Sequence, residues 1–258
     1  MDPSIVVLGF GVGVLVGLTG MGGAALLTPV LILFFDVRPI IAIGSDLVYQ
    51  AVTKGFGAFQ HRRQGTVNGC LVRWLAIGGV PASVAGIALA RLIHIQYASG
   101  ADQFLGRMVS IALLMAGVIV IFRLFHQPWR HPDIQALCPY TRRMKVFTVI
   151  MGAVVGFTVS LTSVGSGSIL LPLLLLVYSL RASQAVGVDI FFAAIIVAVS
   201  GLGHSLNGNV DFRLVANLLV GSIPGVLLGS RLSMKVPDRA LRPGLATLMI
   251  GLSLRLWW

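Results

Sequence analysis

The chain has 258 residues, of which 57% are hydrophobic and 10% are charged, and its formal net charge is +11. A soluble domain carries about 25% charged residues, so this composition excludes an ordinary soluble protein and predicts a chain that crosses the membrane several times. The positive charge does not indicate a nucleic-acid partner, because lysine and arginine cluster in the loops between apolar segments, as in cytoplasmic loops of membrane proteins.

A glycine-rich break interrupts the first apolar run at residues 17–24 and recurs at residues 160–167. The offset between the two breaks is 143 residues (165 − 22), and it continues along the chain without a gap. It pairs Gly44 with Gly187, Asp46 with Asp189, His61 with His204, Pro81 with Pro224 and Gly86 with Gly229. Paired interruptions of this kind are typical of transporters built from two internal repeats.

Each half is predicted to contain two short helices followed by three longer ones. In the first half the arms lie near residues 5–16 and 24–35, and the longer segments near 40–60, 71–92 and 106–125. In the second half the arms lie near residues 147–159 and 168–180, and the longer segments near 183–205, 214–232 and 240–257. An arm of about 12 residues is about 18 Å long, shorter than a hydrocarbon core of about 30 Å, so we expect re-entrant hairpins.

The charges of the loops predict how the two halves lie in the membrane. The loop after the first long segment holds Arg62 and Arg63, whereas Asp211 and Arg213 cancel in the equivalent loop of the second half. The next pair of loops reverses this bias, with the positive excess near residues 231–242. By the positive-inside rule, equivalent loops lie on opposite sides of the cell membrane, which predicts inverted repeats with both termini outside. Inverted repeats require each half to cross the membrane an odd number of times. A re-entrant hairpin plus three spans satisfies this requirement, and so do five short spans.

The resulting architecture is an all-α polytopic membrane protein with one transporter domain at residues 1–258. Repeat 1 occupies residues 1–125, a cytoplasmic connector residues 126–145, and repeat 2 residues 146–258. Inverted repeats with paired broken helices place a substrate site near the membrane midplane.

The two breaks are the candidate substrate site. At each break the second arm begins a helix, and its free N–H groups and positive dipole end suit an anion. Glycine allows the backbone to approach a ligand closely, and nearby hydroxyls add hydrogen bonds. The alternative is that the glycines only allow tight helix packing. The predicted substrate-binding residues are Thr19, Gly20, Gly22, Gly23, Thr162, Ser163, Gly165, Ser166 and Gly167.

Three ionisable residues lie within apolar runs, where a functional role is the default hypothesis. Asp46 and Asp189 are candidates for proton coupling, because two carboxylates repel an anion unless they are protonated. Alternatively, each caps a neighbouring helix or pairs with Arg38 or Arg181. Lys54 is a candidate counter-charge to the substrate, but it also lies near enough to the end of its span to snorkel.

Two histidines end equivalent spans immediately before polar turns. His61 and His204 are candidate gate residues, although a histidine at such a position commonly satisfies the last carbonyls of its helix. The sequence predicts no metal site and no cofactor. Besides lipid and a small anion, protons and a second copy of the chain are candidate partners.

Several motifs together resemble one family of membrane transporters. They are Gly20-Met21-Gly22-Gly23, Gly44-Ser45-Asp46-Leu47, Gly65-Thr66-Val67-Asn68, Gly165-Ser166-Gly167, Gly187-Val188-Asp189 and Gly208-Asn209-Val210-Asp211. In order, spacing and duplication these motifs are similar to the TauE/SafE family of sulfite and organosulfonate exporters. The resemblance implies a carrier that moves small sulfur-containing anions outward. Ser166 interrupts the glycine run of the family, and Ser45 and Val188 stand where the family often has threonine.

The sequence is therefore interpreted as a secondary transporter that exports sulfite or an organosulfonate such as sulfoacetate. Protons or the membrane potential would drive export, because no nucleotide-binding GxxxxGK[ST] motif is present. An uptake permease for a sulfur oxyanion and an anion channel are the alternatives. An intramembrane enzyme is the least favoured reading, because no HExxH-type motif is present and the two histidines are predicted to end spans on opposite sides.

Overall fold

The computed structural model describes residues 3–19, 24–96, 100–125, 141–178, 180–233 and 238–257. The described residues form α-helices joined by turns, with no strand among them. In chain order the helices are α1 (Pro3–Thr19), α2 (Ala24–Phe35), α3 (Pro39–Arg63), α4 (Gly69–Gln96), α5 (Ala101–Phe125), α6 (Arg142–Thr162), α7 (Leu170–Val177), α8 (Ala182–Leu206), α9 (Phe212–Ser233) and α10 (Asp238–Trp257). Residues 20–23, the centre of the first break, lie outside the described residues, as do residues 126–140 of the connector.

The helices form two sets of five in the same order, with two arms and three longer helices in each half. Adding 143 to the bounds of α3 reproduces the bounds of α8. The turns after these two helices also match, because Gly65 and Gly208 both adopt left-handed backbone conformations, with φ of 67° and 74°. A residue with a side chain rarely adopts this conformation, which explains why both turns use glycine.

The arms around the second break differ from their predicted lengths. α6 has 21 residues and α7 has 8, so they are about 31 Å and about 12 Å long. The first arm is longer than predicted because its helix begins at Arg142, within the predicted connector. Thr141 caps it there by accepting a 3.3 Å hydrogen bond from the Met144 N–H. α6 is therefore long enough to cross a hydrocarbon core by itself.

Each half packs its broken helix against a helix of the other half. α1 lies along α9, where Gly9 meets the backbone of Leu218 and Gly13 meets that of Ser222. α6 lies along α4 through the equivalent contacts, Gly152 with Leu75 and Gly156 with Gly79. In both pairs the contacts advance along the two helices together, so the helices run parallel. Small residues at four-residue spacing allow this close approach of two backbones.

Equivalent helices of the two halves pack against each other in antiparallel pairs. Along α3 and α8, Gly57 contacts Ile190, whereas Gly44 contacts the side chain of His204. Along α5 and α10, Gly106 is nearest to Leu256, whereas Gly117 is nearest to Ile250 and Ala246. In both pairs the contacts run in opposite directions along the two helices, so the helices are antiparallel.

Five of the described helical segments are long and apolar enough to cross a membrane: residues 69–96, 101–122, 142–162, 183–206 and 212–229. Their outward faces carry exposed apolar side chains such as Val84, Met115, Val154 and Leu227, which suit contact with lipid. α3 and α10 were predicted as spans but are not in this group, and in α10 the apolar stretch is the shorter Ala246–Trp257. α3 carries Asp46, Gln50 and Lys54 along one buried face, which lowers its mean hydropathy although it lies in the interior.

Candidate functional site

The second break forms the tip of a hairpin inside the helix bundle. Ser163 ends α6 in a left-handed conformation, with φ of 60°, and its N–H donates to the Val159 carbonyl at 2.7 Å. Gly165 and Gly167 also have positive φ angles, 133° and 80°. The chain then turns back along α6, because the hydroxyl of Tyr178 after α7 hydrogen-bonds the hydroxyl of Thr148 near the start of α6.

Asp46 of α3 contacts the end of α6 at this break. Its Oδ2 atom accepts hydrogen bonds from the Thr28 hydroxyl of α2 at 2.6 Å and from the Ser163 hydroxyl at 2.9 Å. One turn later on α3, the Gln50 side-chain amide donates to the hydroxyl and the carbonyl of Ser163, at 2.6 and 3.2 Å. Asp46 and Gln50 are 0% and 2% exposed, so this contact excludes water. The first aspartate therefore binds the carboxyl-terminal end of a helix.

Lys54 and Asp189 lie on the other side of the break. The Lys54 ammonium donates a hydrogen bond to the hydroxyl of Ser166, and the Gly167 N–H donates to Asp189 Oδ1 at 3.0 Å. Lys54 also interacts electrostatically with both Asp189 and Asp46. Its side chain is 9% exposed and points into the break, so the snorkelling alternative is wrong. Lys54 lies near the middle of the 25-residue α3.

The residues before α7 leave donors available at this side of the break. Within the described part of the chain, the backbone N–H groups of Gly165 and Ser166 have no acceptor. The buried hydroxyl of Ser168 has no described partner either. Together with the Lys54 ammonium, these groups suit an anion at the amino-terminal end of α7.

Other predicted binding residues are placed differently. The Thr162 hydroxyl donates to the Thr158 carbonyl at 2.7 Å and accepts the Val164 N–H at 3.2 Å, so it shapes the turn instead of facing the Lys54 side. Ser163 binds Asp46 and Gln50. The side chain of Thr19, and Gly20, Gly22 and Gly23, lie outside the described residues, so the predicted contribution of the first break stays a prediction.

The predicted pairing of the aspartates with arginines is wrong. Arg38 instead forms an ion pair with Asp102 of α5 at 3.0 Å, the one salt bridge within the described residues. The Arg181 guanidinium forms no ion pair with a described residue, and the Arg181 backbone N–H donates to the side-chain oxygen of Gln184 at 3.3 Å. The capping alternative describes Asp189 better, because its carboxylate accepts the Gly167 N–H shortly before α7 begins.

The two predicted gate histidines have different surroundings. His61 Nδ1 lies 2.9 Å from the Thr66 hydroxyl in the turn after α3. His204 is 1% exposed, and its Nε2 donates to the Ser160 carbonyl of α6 at 3.0 Å. His204 therefore satisfies a carbonyl of the broken helix, not of its own helix. No contact tests the gate role, which stays a prediction.

Sequence reasoning missed Gln50, Thr28 and Ser168. Gln50 carried a usable signal, because Asp46, Gln50 and Lys54 recur every four residues and so lie on one face of α3. A comparison of the two repeats would have missed Gln50, since Ala193 and Val197 occupy the positions equivalent to Gln50 and Lys54. No cluster of three or more metal-ligating His, Cys or Asp side chains occurs where the structure describes the chain.

Comparison with known proteins relates the chain to membrane transporters. A relative from Bacillus subtilis strain 168, the probable membrane transporter protein YjnA, is 40% identical over 256 residues, which cover 99% of this chain and 100% of the relative. YdhB of the same organism, also a probable membrane transporter protein, is 26% identical over 92% of this chain and 93% of its own length. The probable membrane transporter protein MJ0441 of Methanocaldococcus jannaschii is 22% identical over 96% of this chain.

No solved structure matches the chain. The model of the family described as sulfite exporter TauE/SafE matches residues 5–256, nearly the whole sequence. With five helices among its described residues long and apolar enough to cross a membrane, the chain is a multi-pass membrane protein and belongs to the sulfite exporter TauE/SafE family.

Proposed function

We propose that the protein is a secondary transporter that exports a small sulfur-containing anion, sulfite or an organosulfonate such as sulfoacetate. The observation that carries this proposal is the contact of the Lys54 ammonium with Ser166 at the amino-terminal end of α7. There a buried cation lies beside the residues that precede α7, whose Gly165 and Ser166 N–H groups have no acceptor among the described residues. The family supports a sulfur oxyanion as the ligand.

The anion would lie between α3, α8 and the second break. Lys54 supplies the positive charge, and the Gly165 and Ser166 N–H groups supply hydrogen bonds. Gly165 has φ of +133°, a conformation in which a side chain would be strained. An anion that binds here would displace the ammonium from the Ser166 hydroxyl, or share the hydroxyl with it.

The halves are proposed to be inverted repeats with both termini outside the cell. Support comes from the antiparallel packing of α3 with α8 and of α5 with α10. Equivalent helices that run antiparallel cross a membrane in opposite directions. The repeated packing of each broken helix against the other half would let one set of helices rock against the other, which is how inverted repeats alternate the access of a central site.

Of the two aspartates, Asp189 is the better placed proton carrier. It accepts a single described hydrogen bond, from Gly167, and it interacts electrostatically with Lys54, the proposed counter-charge of the substrate. A proton on Asp189 would leave Lys54 free to balance the anion, whereas an ionised Asp189 would compete with the anion for it. Asp46 is the other carboxylate that acts on Lys54.

Flux assays in proteoliposomes test the proposal. Sulfite, sulfoacetate, sulfate and chloride are compared as substrates, with and without a pH gradient. We expect saturable flux of sulfite or sulfoacetate that exceeds chloride flux, without chemical turnover. Flux that rises linearly with concentration for every anion would indicate a channel instead. Inward flux under the physiological gradients, without outward flux, would indicate an uptake permease.

A further inference from the structure

The two sides of the second break differ in their charges. Lys54 and Asp189 lie together on the side where α7 begins. On the other side, the carboxyl-terminal end of α6 meets Asp46. A helix carboxyl terminus carries a partial negative charge, and carboxylates near it are unfavourable. A buried carboxylate at this end therefore lacks compensation from the dipole.

Two oxygen atoms at this contact have no donor among the described residues, namely Asp46 Oδ1 and Gln50 Oε1. Both side chains are almost fully buried, and they lie one helical turn apart on the same face of α3. Unpaired buried oxygens of this kind are rare and costly. The neighbouring hydroxyls are already used, because Thr28 and Ser163 both donate to Asp46 Oδ2. The Gln50 amide donates to Ser163 and also acts on the Asp46 carboxylate.

From this arrangement we infer a binding site for a sodium ion, formed by Asp46 Oδ1, Gln50 Oε1 and the carbonyl end of α6. A cation binds oxygen ligands of just these kinds, and broken helices of transporters use unwound carbonyls and helix carboxyl termini for the purpose. Asp46 Oδ2 already accepts two hydroxyl hydrogens, so Oδ1 is the carboxylate oxygen left to a cation.

The inference extends the proposed function, since the ion would lie on the same break as the anion, at its opposite end. Ser163 to Ser166 would then connect the two ligands through four consecutive residues. Occupation of the sodium site would fix the end of α6 and so order the residues that receive the anion. The break would couple the two ligands by its own rigidity.

Sodium binding is tested on the purified protein in detergent, without any sulfur anion. The melting temperature is titrated with NaCl against choline chloride and KCl at constant pH and ionic strength. A ligand that binds only the folded protein raises this temperature in a saturable manner. We expect saturation with sodium alone, and an apparent sodium affinity at least about tenfold weaker in Gln50→Leu. Gln60→Leu is the matched control, because Gln60 lies on the same helix with an exposed side chain.

Equal effects of sodium and choline on the parent protein would overturn the inference, and so would a sodium titration unchanged in Gln50→Leu. Asp46→Asn provides a second variant, expected to lose the sodium response entirely. Sulfite flux in vesicles distinguishes this failure from failure of the proposed function. Sulfite flux without sodium binding would disprove only the cation site. Sodium binding without flux of any sulfur anion would disprove only the proposed transport.

Discussion

Ser110 of α5 and Ser253 of α10 exchange hydrogen bonds with each other's backbone. The Ser110 hydroxyl donates to the Ser253 carbonyl at 2.7 Å, and the Ser253 hydroxyl donates to the Ser110 carbonyl at 2.8 Å. The two residues are 143 positions apart (253 − 110), so each is the repeat equivalent of the other. A reciprocal contact between equivalent residues is what a two-fold axis produces. An axis relating the two halves would therefore pass between these serines.

This symmetry predicts matched effects of two substitutions. Ser110→Ala and Ser253→Ala each remove one of the two bonds and should destabilise the protein by a similar amount, about 0.6 kcal/mol for a hydrogen bond between membrane helices. The double variant should lose about twice as much. Thermal unfolding in detergent measures all three. A large loss in one single variant and none in the other would contradict the two-fold relationship.

Inverted topology predicts that the ends of α3 and α8 lie on opposite sides of the membrane. Gln64 and Asn207 are repeat equivalents (207 − 64 = 143), and each follows its helix directly. In a background with Cys70→Ser and Cys138→Ser, an impermeant thiol reagent added to intact cells should label Asn207→Cys but not Gln64→Cys. Permeabilised cells, in which both should react, provide the control. Labelling of both positions from outside would disprove the inverted arrangement.

Removal of the Lys54 charge should weaken anion binding. A hydrogen bond to a charged group contributes about 1.5–3 kcal/mol when buried, so Lys54→Met should raise the KM for sulfite about ten- to a hundredfold. Lys145→Met is the matched control, because it removes the same charge away from the break. The Lys145 ammonium lies near the start of α6, over the Trp74 ring and 5.2 Å from its centroid. An unchanged KM in well-folded Lys54→Met would move the substrate away from this side of the break.

Asp189→Asn separates exchange from coupled transport. The amide keeps an oxygen that can accept the Gly167 N–H, so the break should keep its shape, but it cannot carry a proton. We therefore expect sulfite exchange to continue while accumulation driven by a pH gradient is lost. Counterflow and gradient-driven flux in the same vesicles measure the two activities. Retention of pH-driven accumulation in this variant would leave Asp189 with its capping role alone.

Two glycines of α1 should respond in opposite ways to the same change. A Cβ atom at Gly13 would collide with the backbone of Ser222, whereas a Cβ atom at Gly11 meets nothing within 4 Å. Gly13→Ala should therefore cost about 1–3 kcal/mol through overpacking, and Gly11→Ala should be neutral or stabilise by up to about 1 kcal/mol. Melting temperatures in detergent decide this. Equal effects of both substitutions would show that α1 does not pack on α9 through Gly13.

The repeat, the helices and their order could be predicted from the sequence because they depend on local apolar runs and on a recurring offset. The contacts of Asp46 could not be predicted in this way. Thr28 and Ser163 are 18 and 117 residues away from it, and only the packing of α2, α3 and α6 brings them together. Arg38 illustrates the same limit, because it pairs with Asp102, 64 residues away, and not with Asp46, which is nearer in sequence.

Because α1 packs against α9, the fold can be completed only after α9 has been synthesised. Thr19 ends α1 and Phe212 begins α9, a separation of 193 residues (212 − 19). At about 5–20 residues per second, the ribosome needs about 10–40 s to supply the partner. During that interval the glycine face of α1 has only lipid or the insertion machinery to contact. Each half therefore depends on the other for the surface against which its broken helix packs.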